Sequence, residues 1–389
     1  MGGIFSSVKE LPSADSPNLV LVHPTPAERI ECLKANGVAW KGPLTFEQYI
    51  QREDYLRKQQ RSKDGNLTLW ILVDGSLQPD NRTILSACET LKKPAFVAHD
   101  GELEEVYTQG VGSVYCKPEY RSRGYAKRML NELVKEIETW QQENEKRKKC
   151  VFSILYSDIG KNFYAQFGWK AFPSAQISFP PLPPGSDARN DLPAVEDMTA
   201  DDVKSSMCSK AVIDRYRNIL KEASVNSTPK IGVVPESTHM DLHWARENFY
   251  ASKLWPDGYP PTVKGASVDA QNVYCTWTRT FGATPANYTL HILRLLNDDP
   301  STPAEKEETI KAIAAVLRRA QYEAHKWEMQ TVEIWNPTPL VQEAAKLLDA
   351  NAEVVERERS SIPCLKWDGA EMGMGDDVEW FWNEKYSWC

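Results

Sequence analysis

The 389-residue chain lacks the features that mark several large classes of protein. It has no uninterrupted apolar run near the roughly 18 residues that a membrane span needs, and its first residues lack the apolar segment of a secretory signal. Its eight cysteines are scattered and form no CxxC pair, which argues against a disulfide framework and a cysteine zinc site. We therefore expect a cytoplasmic protein with reduced cysteines, no metal and no stable membrane association.

Positive charge is also in short supply. The 46 lysines and arginines against 54 acidic residues give a net charge of -8, which argues against nucleic acid as a partner. The hydrophobic content of 41% suffices for a sizeable core, and the length suggests two domains. The start "MGGIFS" fits the myristoylation pattern at Gly2, but that pattern is short and common, so a disordered start is the preferred interpretation.

The first half is predicted to be a mixed α/β unit. Helical segments are expected between the first two strands and after residue 125, where apolar side chains recur from Ala126 to Trp140 at the spacing of an amphipathic helix. A short helix follows at 160–169, and a closing strand ends before residue 180. The other predicted strands share alternating or continuous apolar character and lie at 19–24, 67–74, 83–98, 104–116 and 150–158.

The second half repeats the order strand, helix, strand, helix, strand, which predicts a faint internal duplication. A proline-rich segment separates the halves and is predicted to be a stiff linker. The domain prediction is therefore a flexible N-terminus at 1–18, a first domain at 19–180, the linker at 181–193 and a second domain at 194–389.

One turn concentrates positive charge where a helix begins. The stretch "CKPEYRSRGYAKRML" puts Arg121, Arg123 and Gly124 between a strand and a helix whose first turn has no acidic residue. The four unpaired amides of a helix N-terminus carry roughly half a positive charge and attract anions. Gly124 and Ala126 let the backbone approach a ligand, and the two guanidinium groups suit phosphate. The turn is predicted to hold a diphosphate.

Other phosphate motifs fit this stretch poorly. No Gly-Lys-Ser/Thr follows, so it is not a P-loop, and Gly110 with Gly112 lack the third glycine of a dinucleotide fingerprint. The simpler alternative is a solvated turn, which two arginines beside a glycine at a helix start make less attractive. The second half has "RLLNDDPSTPAEKEET" at the corresponding place, so phosphate binding is not expected there.

The pattern Arg121-x-x-Gly124-x-Ala126 resembles the pyrophosphate loop of the GNAT acyltransferase superfamily, which binds acetyl-CoA. "FYAQFGW" at 163–169 resembles the superfamily's Tyr-x-x-x-Gly-Phe signature. The resemblance implies that Tyr164 protonates the departing thiolate. Ser157 stands where many members have asparagine, which puts a pantetheine contact there in doubt. The implied cofactor contacts are the backbone of Val114, Tyr115 and Cys116 for the pantetheine arm, and Arg121, Ser122, Arg123, Gly124, Tyr125 and Ala126 for the diphosphate.

A closer resemblance spans roughly residues 19 to 385. "NGVAWKGPLTFEQYIQRE", "TLWILVD", "YSDIGKNFYAQFGWKAFPS" and the tryptophan-rich second half are similar to the fungal lysine acetyltransferases of lysine catabolism. This implies a GNAT-type α/β fold with a mixed sheet and a degenerate GNAT-like second domain that closes the substrate cleft. It also implies acetyl transfer from acetyl-CoA to the side-chain amine of free L-lysine.

That reaction needs a proton acceptor. A lysine side chain has a pKa near 10.4, so the neutral amine costs about 4.6 kcal/mol at pH 7. Glu89, Glu105 and Asp158 are the candidate bases, because they lie on or near strands expected to face the cleft, and a water chain ending at one of them is an alternative. Transfer would be direct, with no cysteine nucleophile. A protein-lysine or other small-amine acetyltransferase, and a non-catalytic CoA-binding scaffold, stay open as alternative functions.

Two further features are interpreted as packing. His239 and His243 are four residues apart but lack the glutamate of the zinc-protease motif, so a metal pair is not expected. The aromatic-rich segment 375–389 is expected to dock on the protein. A sharper hypothesis is that this tail walls the substrate cleft and that an acidic group in it attracts an ammonium, the candidates being Asp376, Asp377 and Glu379.

Overall fold

The computed structural model describes residues 11–141, 150–185, 191–255 and 260–388. The Gly2 motif and the middle of the predicted linker lie outside these ranges. In chain order, the strands and helices are β1 (Leu19–Val22), α1 (Pro26–Trp40), α2 (Phe46–Arg57), β2 (Leu67–Asp74), β3 (Ser86–His99), β4 (Glu102–Tyr115), α3 (Tyr125–Thr139), β5 (Phe152–Ser157), β6 (Lys170–Ala171), β7 (Ala175–Phe179), β8 (Glu196–Met198), α4 (Ala200–Met207), α5 (Lys210–Ser224), β9 (Lys230–Val233), α6 (Ser237–Leu254), β10 (Gly265–Val268), β11 (Val273–Thr280), β12 (Thr289–Leu296), α7 (Pro303–Lys326), β13 (Thr331–Trp335), α8 (Pro339–Leu348), β14 (Val355–Glu356), β15 (Ile362–Trp367) and β16 (Glu379–Trp380).

Two mixed sheets organise these elements. The first sheet has the order β1-β2-β3-β4-β5-β15-β6, and β9 extends it by pairing with both β3 and β16. The second has the order β14-β7-β13-β12-β11-β10-β8. Most neighbouring strands are antiparallel, whereas β4 with β5, β9 with β16 and β12 with β13 are parallel. The predicted mixed α/β character of the chain is confirmed.

The two halves of the chain exchange strands. The strand expected to close the first sheet, β7, pairs instead with β13 and β14 in the second sheet. In return β15, from near the end of the chain, lies between β5 and β6 in the first sheet. Alternation of apolar residues shows that a segment is a strand with a buried face, but it does not specify which sheet edge the strand joins. The division at 181–193 stays a prediction, and sheet membership does not follow it.

Helix α3 packs where its apolar spacing predicts. Met129, Leu130, Leu133 and Ile137 are buried in a core cluster with residues of β2, β4 and β5. The helix also holds the segment before β1, because the Tyr125 hydroxyl donates a 2.5 Å hydrogen bond to the carbonyl of residue 12. Residues 11–18, expected to be flexible, therefore dock on α3.

Helix α6 lies between the two sheets. Its middle turns are buried by β11 on one side and by the C-terminal segment on the other. The C-terminal segment includes a 3₁₀ helix at Lys385–Ser387. Among the described residues, none of the helices combines the length and the apolar composition that crossing a bilayer requires.

Candidate active site

Strands β4 and β5 diverge in the middle of the first sheet. Their parallel pairing covers Gln109 to Val111 on β4 and stops before the end of either strand. On the other side of β4 the register with β3 shifts, so that two residues, Ser113 and Val114, bulge opposite Cys88. Ser113 has φ 50°, the left-handed conformation that a bulge can require. The bend opens a cleft between β4 and β5 in which backbone groups of β4 are available to a ligand.

The N-terminus of α3 lies just beyond this cleft. Gly124 occupies the N-cap with φ 86°, and in the described structure no side chain caps the helix there. A residue with a Cβ would be strained at this φ and would meet the Cβ of Ala14 at 3.0 Å. The first-turn amides, with no acidic neighbour in that turn, form a site that fits an anion such as a diphosphate.

The two arginines of the turn are placed differently. Arg121 donates from Nε to the carbonyl of Cys116 at 3.0 Å, and its guanidinium lies 5.8 Å from the centroid of the Tyr115 ring. Arg123 is exposed, as are Ser122 and Gly124. Arg121 thus retains free N–H groups on a guanidinium held beside the strand end, and Arg123 is free to reach a ligand.

The other predicted cofactor contacts fall into two groups. Val114, Tyr115 and Cys116 lie at the end of β4, where the Cys116 thiol donates to the carbonyl of residue 85 at 3.3 Å. Tyr125 is buried beneath the loop, whereas Ala126 is only half-buried in the first turn of α3. The structure therefore brings all of these residues together at the end of β4 and the start of α3. Their role in cofactor binding stays a prediction.

Ser157 ends β5 on the opposite side of the cleft. Its hydroxyl donates to the carbonyl of Gly160 at 2.7 Å and accepts the backbone N–H of Ile159 at 3.2 Å. The side chain is buried. The hydroxyl therefore stabilises the turn after β5.

A cavity of about 840 Å³ lies beside the bulge and is lined by residues of both sheets. Glu89, Leu91 and Lys93 alternate along the face of β3 that lines it. The Ser113 hydroxyl donates a 2.8 Å hydrogen bond to Oε2 of Glu89. Burial raises the pKa of Glu89 above its usual range, and the negative charge of Glu53 acts in the same direction. The Glu89 carboxylate is therefore a base positioned at the bulge and reachable from the cavity.

The other two candidate bases lie elsewhere. Asp158 is at the rim of the cavity, exposed, and its Oδ1 accepts the backbone N–H of Ser361 at 2.9 Å, which ties two loops together. Glu105 is ion-paired with Arg217 on the far part of β4, outside the cavity. The expectation that Glu105 faces the cleft was wrong, because the seven residues between it and the bulge span about 24 Å of extended strand.

Tyr164 begins a 3₁₀ helix that ends at Phe167. It is 8% exposed and packs edge-on against Phe163, with ring centroids 5.0 Å apart, in the core cluster beneath α3. Burial raises the pKa of its hydroxyl, which therefore keeps its proton. Tyr164 is not among the described residues that line the cavity.

The main wall of the cavity was missed by sequence reasoning. One face of α6 carries His239, His243, Arg246 and Tyr250 into it, at the spacing of successive helical turns. That spacing was available in the sequence, but polar and aromatic side chains at these positions gave no apolar stripe. The C-terminal segment adds a second wall at 385–388.

The described part of the C-terminal segment 375–389 forms a wall of the cavity, as the sharper hypothesis expected, but the acidic residues that this hypothesis named do not line it. Lys385, Tyr386 and Trp388 line it. Glu379 forms a 2.6 Å ion pair with Lys230 as β16 pairs with β9, and is not part of the lining among the described residues. Neither Asp376 nor Asp377 belongs to that lining. The tail therefore presents a cation and aromatic rings instead of carboxylates.

The two histidines of α6 are packed and neutral. Nε2 of His243 lies 3.2 Å from the carbonyl oxygen of Tyr386 and is placed to donate to it. Burial holds the pKa of both His239 and His243 well below the usual range. Within the described ranges, no three histidine, cysteine or acidic side chains are grouped so as to hold a metal ion.

The fold is that of the GNAT N-acyltransferases. A GCN5-related N-acetyltransferase from Kribbella flavida superposes with a TM-score of 0.51 over 90% of this chain and 71% of that one, at 18% sequence identity. A probable N-acyltransferase from Enterococcus faecalis V583 gives a TM-score of 0.50 over 90% of this chain and 72% of that one, at 14% identity. The predicted fold class is confirmed.

Sequence comparison narrows the class to a family. Residues 176–389, more than half of the chain, match the model of the LYC1 GNAT-like C-terminal domain, and the chain belongs to that family. The lysine acetyltransferase of Yarrowia lipolytica is 22% identical over 410 residues, which cover 94% of this chain and 98% of that protein. An uncharacterized protein of Saccharomyces cerevisiae is 31% identical over 162 residues, or 35% of this chain and 40% of that one. The chain is an acetyltransferase, as the resemblance implied.

Proposed function

We propose that the protein transfers the acetyl group of acetyl-CoA to the side-chain amine of free L-lysine, giving N-ε-acetyl-L-lysine and CoA, as a cytoplasmic step of lysine degradation. The observation that carries the proposal is Glu89, a carboxylate held at the β4 bulge inside a cavity of about 840 Å³. Such a volume suits a small molecule and not a protein segment. The likeness to the Yarrowia lipolytica lysine acetyltransferase supports the choice of acceptor.

The donor is assigned to the open edge between β4 and α3. The uncapped first turn of α3, with Arg121 and Arg123 beside it, would hold the diphosphate, and the backbone of Val114, Tyr115 and Cys116 at the end of β4 would hold the pantetheine arm. Acetyl-CoA would supply an activated thioester at the bulge. The β4 backbone there would orient its carbonyl group.

Glu89 is assigned the role of proton acceptor. Lysine enters as an ammonium, and its neutral form at pH 7 costs about 4.6 kcal/mol, so a base within reach of the amine lowers the barrier. The raised pKa of Glu89 makes it a stronger base than an exposed carboxylate, and the Ser113 hydrogen bond favours its ionised form. Where the lysine amine and the Glu89 carboxylate do not touch, water within the cavity would carry the proton between them.

Tyr164 is proposed to protonate the departing thiolate, and Asp158 to shape the cavity rim and not to act as the base. Burial keeps the Tyr164 hydroxyl protonated, which an acid requires. The Asp158 carboxylate is already bonded to the backbone of Ser361 and is exposed. Of the three catalytic residues predicted from sequence, Glu89 has the strongest structural support.

The deciding experiment is thiol release from acetyl-CoA with a panel of amines: L-lysine, L-ornithine, cadaverine, and a lysine-containing peptide blocked at both ends. We expect L-lysine to give the highest kcat/KM, with the product identified by mass spectrometry as the ε-acetylated isomer. Faster turnover of the peptide would favour a protein-lysine acetyltransferase. Tight CoA binding without turnover of any amine would leave a non-catalytic scaffold.

A further inference from the structure

Two cations flank one aromatic ring inside the cavity. The guanidinium of Arg246, on α6, lies 5.2 Å from the centroid of the Trp388 ring. The Nζ atom of Lys385 lies 4.3 Å from a ring centroid of Trp388. Lys385 is also 4.3 Å from a ring centroid of Trp335 on β13. All four side chains line the cavity. The two positive charges come from distant parts of the chain and meet only in the folded protein.

Neither cation is in contact with a carboxylate among the described residues, although Glu333 acts electrostatically on Lys385, and Glu53 and Glu89 act on Arg246, from farther away. In the described part of the chain, no carboxylate lies within ion-pair distance of Arg246 or Lys385, and no hydrogen bond of either side-chain cation is formed. Burial lowers the pKa of Arg246, and the nearby positive charge of Arg52 lowers it further. Burial also lowers the pKa of Lys385, to about 7. A buried cation without a bonded carboxylate is costly, and the lowered pKa values of both groups reflect that cost.

Two other buried arginines of the protein are bonded to carboxylates. Arg52 is bonded to Glu53, with Nε 2.8 Å from Oε1. Arg279 lies 3.1 Å from Glu247 and is bonded to Glu323 as well. Unlike Arg52 and Arg279, Arg246 and Lys385 have no carboxylate within ion-pair distance among the described residues.

We propose that Arg246 and Lys385 form the subsite for the α-carboxylate of the acceptor amino acid, with Trp388 holding both cations in place. The proposal rests on the proposed function and deepens it by naming what distinguishes a free amino acid from other amines. A carboxylate bound there completes the missing ion pairs, and the planar guanidinium can bind it with two hydrogen bonds.

The subsite explains selectivity for the side-chain amine. The α-amine of an amino acid is the easier one to deprotonate, so only positioning can favour the ε-amine. Anchoring the carboxylate on α6 and the tail fixes the α-amine at that end and leaves the extended side chain to reach Glu89 on β3. A peptide-bound lysine has no free carboxylate next to its α-carbon, so it cannot use this anchor.

The test compares L-lysine with cadaverine, which is lysine without its carboxylate. The measured quantity is kcat/KM for L-lysine divided by kcat/KM for cadaverine. We expect Arg246→Met and Lys385→Met each to lower this ratio by about 10- to 100-fold, because that is the range expected for a lost charge-assisted hydrogen bond. Lys253→Met is the matched control. It removes a positive charge from the exposed last turn of the same helix and should leave the ratio unchanged.

Calorimetric titration of L-lysine and of cadaverine into the CoA-loaded protein provides a readout that does not need turnover. Loss of L-lysine affinity in both variants supports the subsite even if the panel fails to identify the acceptor. An unchanged lysine-to-cadaverine ratio, in kinetics and in binding, would overturn the subsite and leave the proposed acetyltransferase reaction standing. If Arg246→Met does not fold, Arg246→Lys, which keeps the charge and loses the fork, carries the same comparison.

Discussion

The Ser113 hydroxyl donates a 2.8 Å hydrogen bond to the Glu89 carboxylate across the β4 bulge. The bulge that opens the cleft thus also supplies the donor that orients the proposed base. Both residues line the cavity, and each depends on the register shift between β3 and β4. This contact is the basis of the first two predictions.

Replacing Glu89 by glutamine should lower kcat by about 100-fold or more, because general-base catalysis contributes about that much. The amide keeps the size of the side chain but cannot accept the proton at neutral pH. Steady-state kinetics with L-lysine measures the effect. Glu105→Gln makes the same chemical change on the far part of β4 and should behave like the unmodified enzyme. Equal loss in both variants would contradict the assignment of the base.

The pH profile tests the contact with Ser113. Burial raises the pKa of Glu89, and the Ser113 hydrogen bond opposes that rise by stabilising the carboxylate. The base must be ionised, so activity should fall on the acid side as pH drops through this raised pKa. Ser113→Ala should move the acid limb of kcat/KM to higher pH. A limb that stays in place or moves to lower pH would show that Glu89 is not the titrating group.

Reversing both charges of the turn, with Arg121→Glu and Arg123→Glu together, should weaken CoA binding by at least about 10-fold, since each guanidinium supplies charge-assisted hydrogen bonds to phosphate. Calorimetric titration of CoA measures the change directly. Arg215→Glu serves as the control, because Arg215 is ion-paired with Asp298 in the second half of the chain. CoA affinity that survives the double change would remove the basis for the donor site.

Transfer should be direct. Burial raises the pKa of every cysteine thiol in the described residues, so none is poised as a thiolate nucleophile. Initial velocities at varied acetyl-CoA and L-lysine should therefore give intersecting double-reciprocal lines. Parallel lines, together with an acetylated protein mass after incubation with acetyl-CoA alone, would demonstrate an acyl-enzyme instead.

A structural ion pair outside the site gives a pH-dependent stability. Glu28 is 3% exposed, and its Oε1 lies 2.7 Å from Nε of Arg82. It also completes the capping box of α1 with Thr25. The hydrogen bond from Arg82 is the main reason that the pKa of Glu28 is lowered to about 2.

Glu28→Gln should lower the free energy of unfolding by about 2 kcal/mol at pH 7. Because the folded-state pKa is depressed, this contribution is present above the ordinary carboxylate pKa and is lost as pH falls from there toward 2. Urea unfolding of both proteins should therefore show a difference that shrinks between about pH 4.5 and pH 3. A difference independent of pH would mean that the carboxylate charge plays no part.

Much of the proposed donor site could be predicted from sequence, because its features are local. A glycine with positive φ, a helix start without an acidic residue and two arginines lie within a few positions of each other, so their chemistry is set by short-range geometry. The buried face of α3 could be predicted from its apolar spacing for the same reason. Glu89 could be named as a base, but its partner Ser113 could not, because the register shift that brings them together depends on how β3 and β4 pair.

The sequence by itself determined the strands of the first half, the amphipathic helix α3 and the charged turn, since hydrogen bonding and apolar periodicity act over a few residues. Only the tertiary structure decided that β7 and β15 exchange sheets, that Glu105 lies away from the cleft, and that α6 and the tail enclose the cavity. Arg246 and Lys385 are 139 positions apart, and no local rule relates them. They meet because burying α6 and the C-terminal aromatic side chains requires that the tail pack across the gap between the sheets.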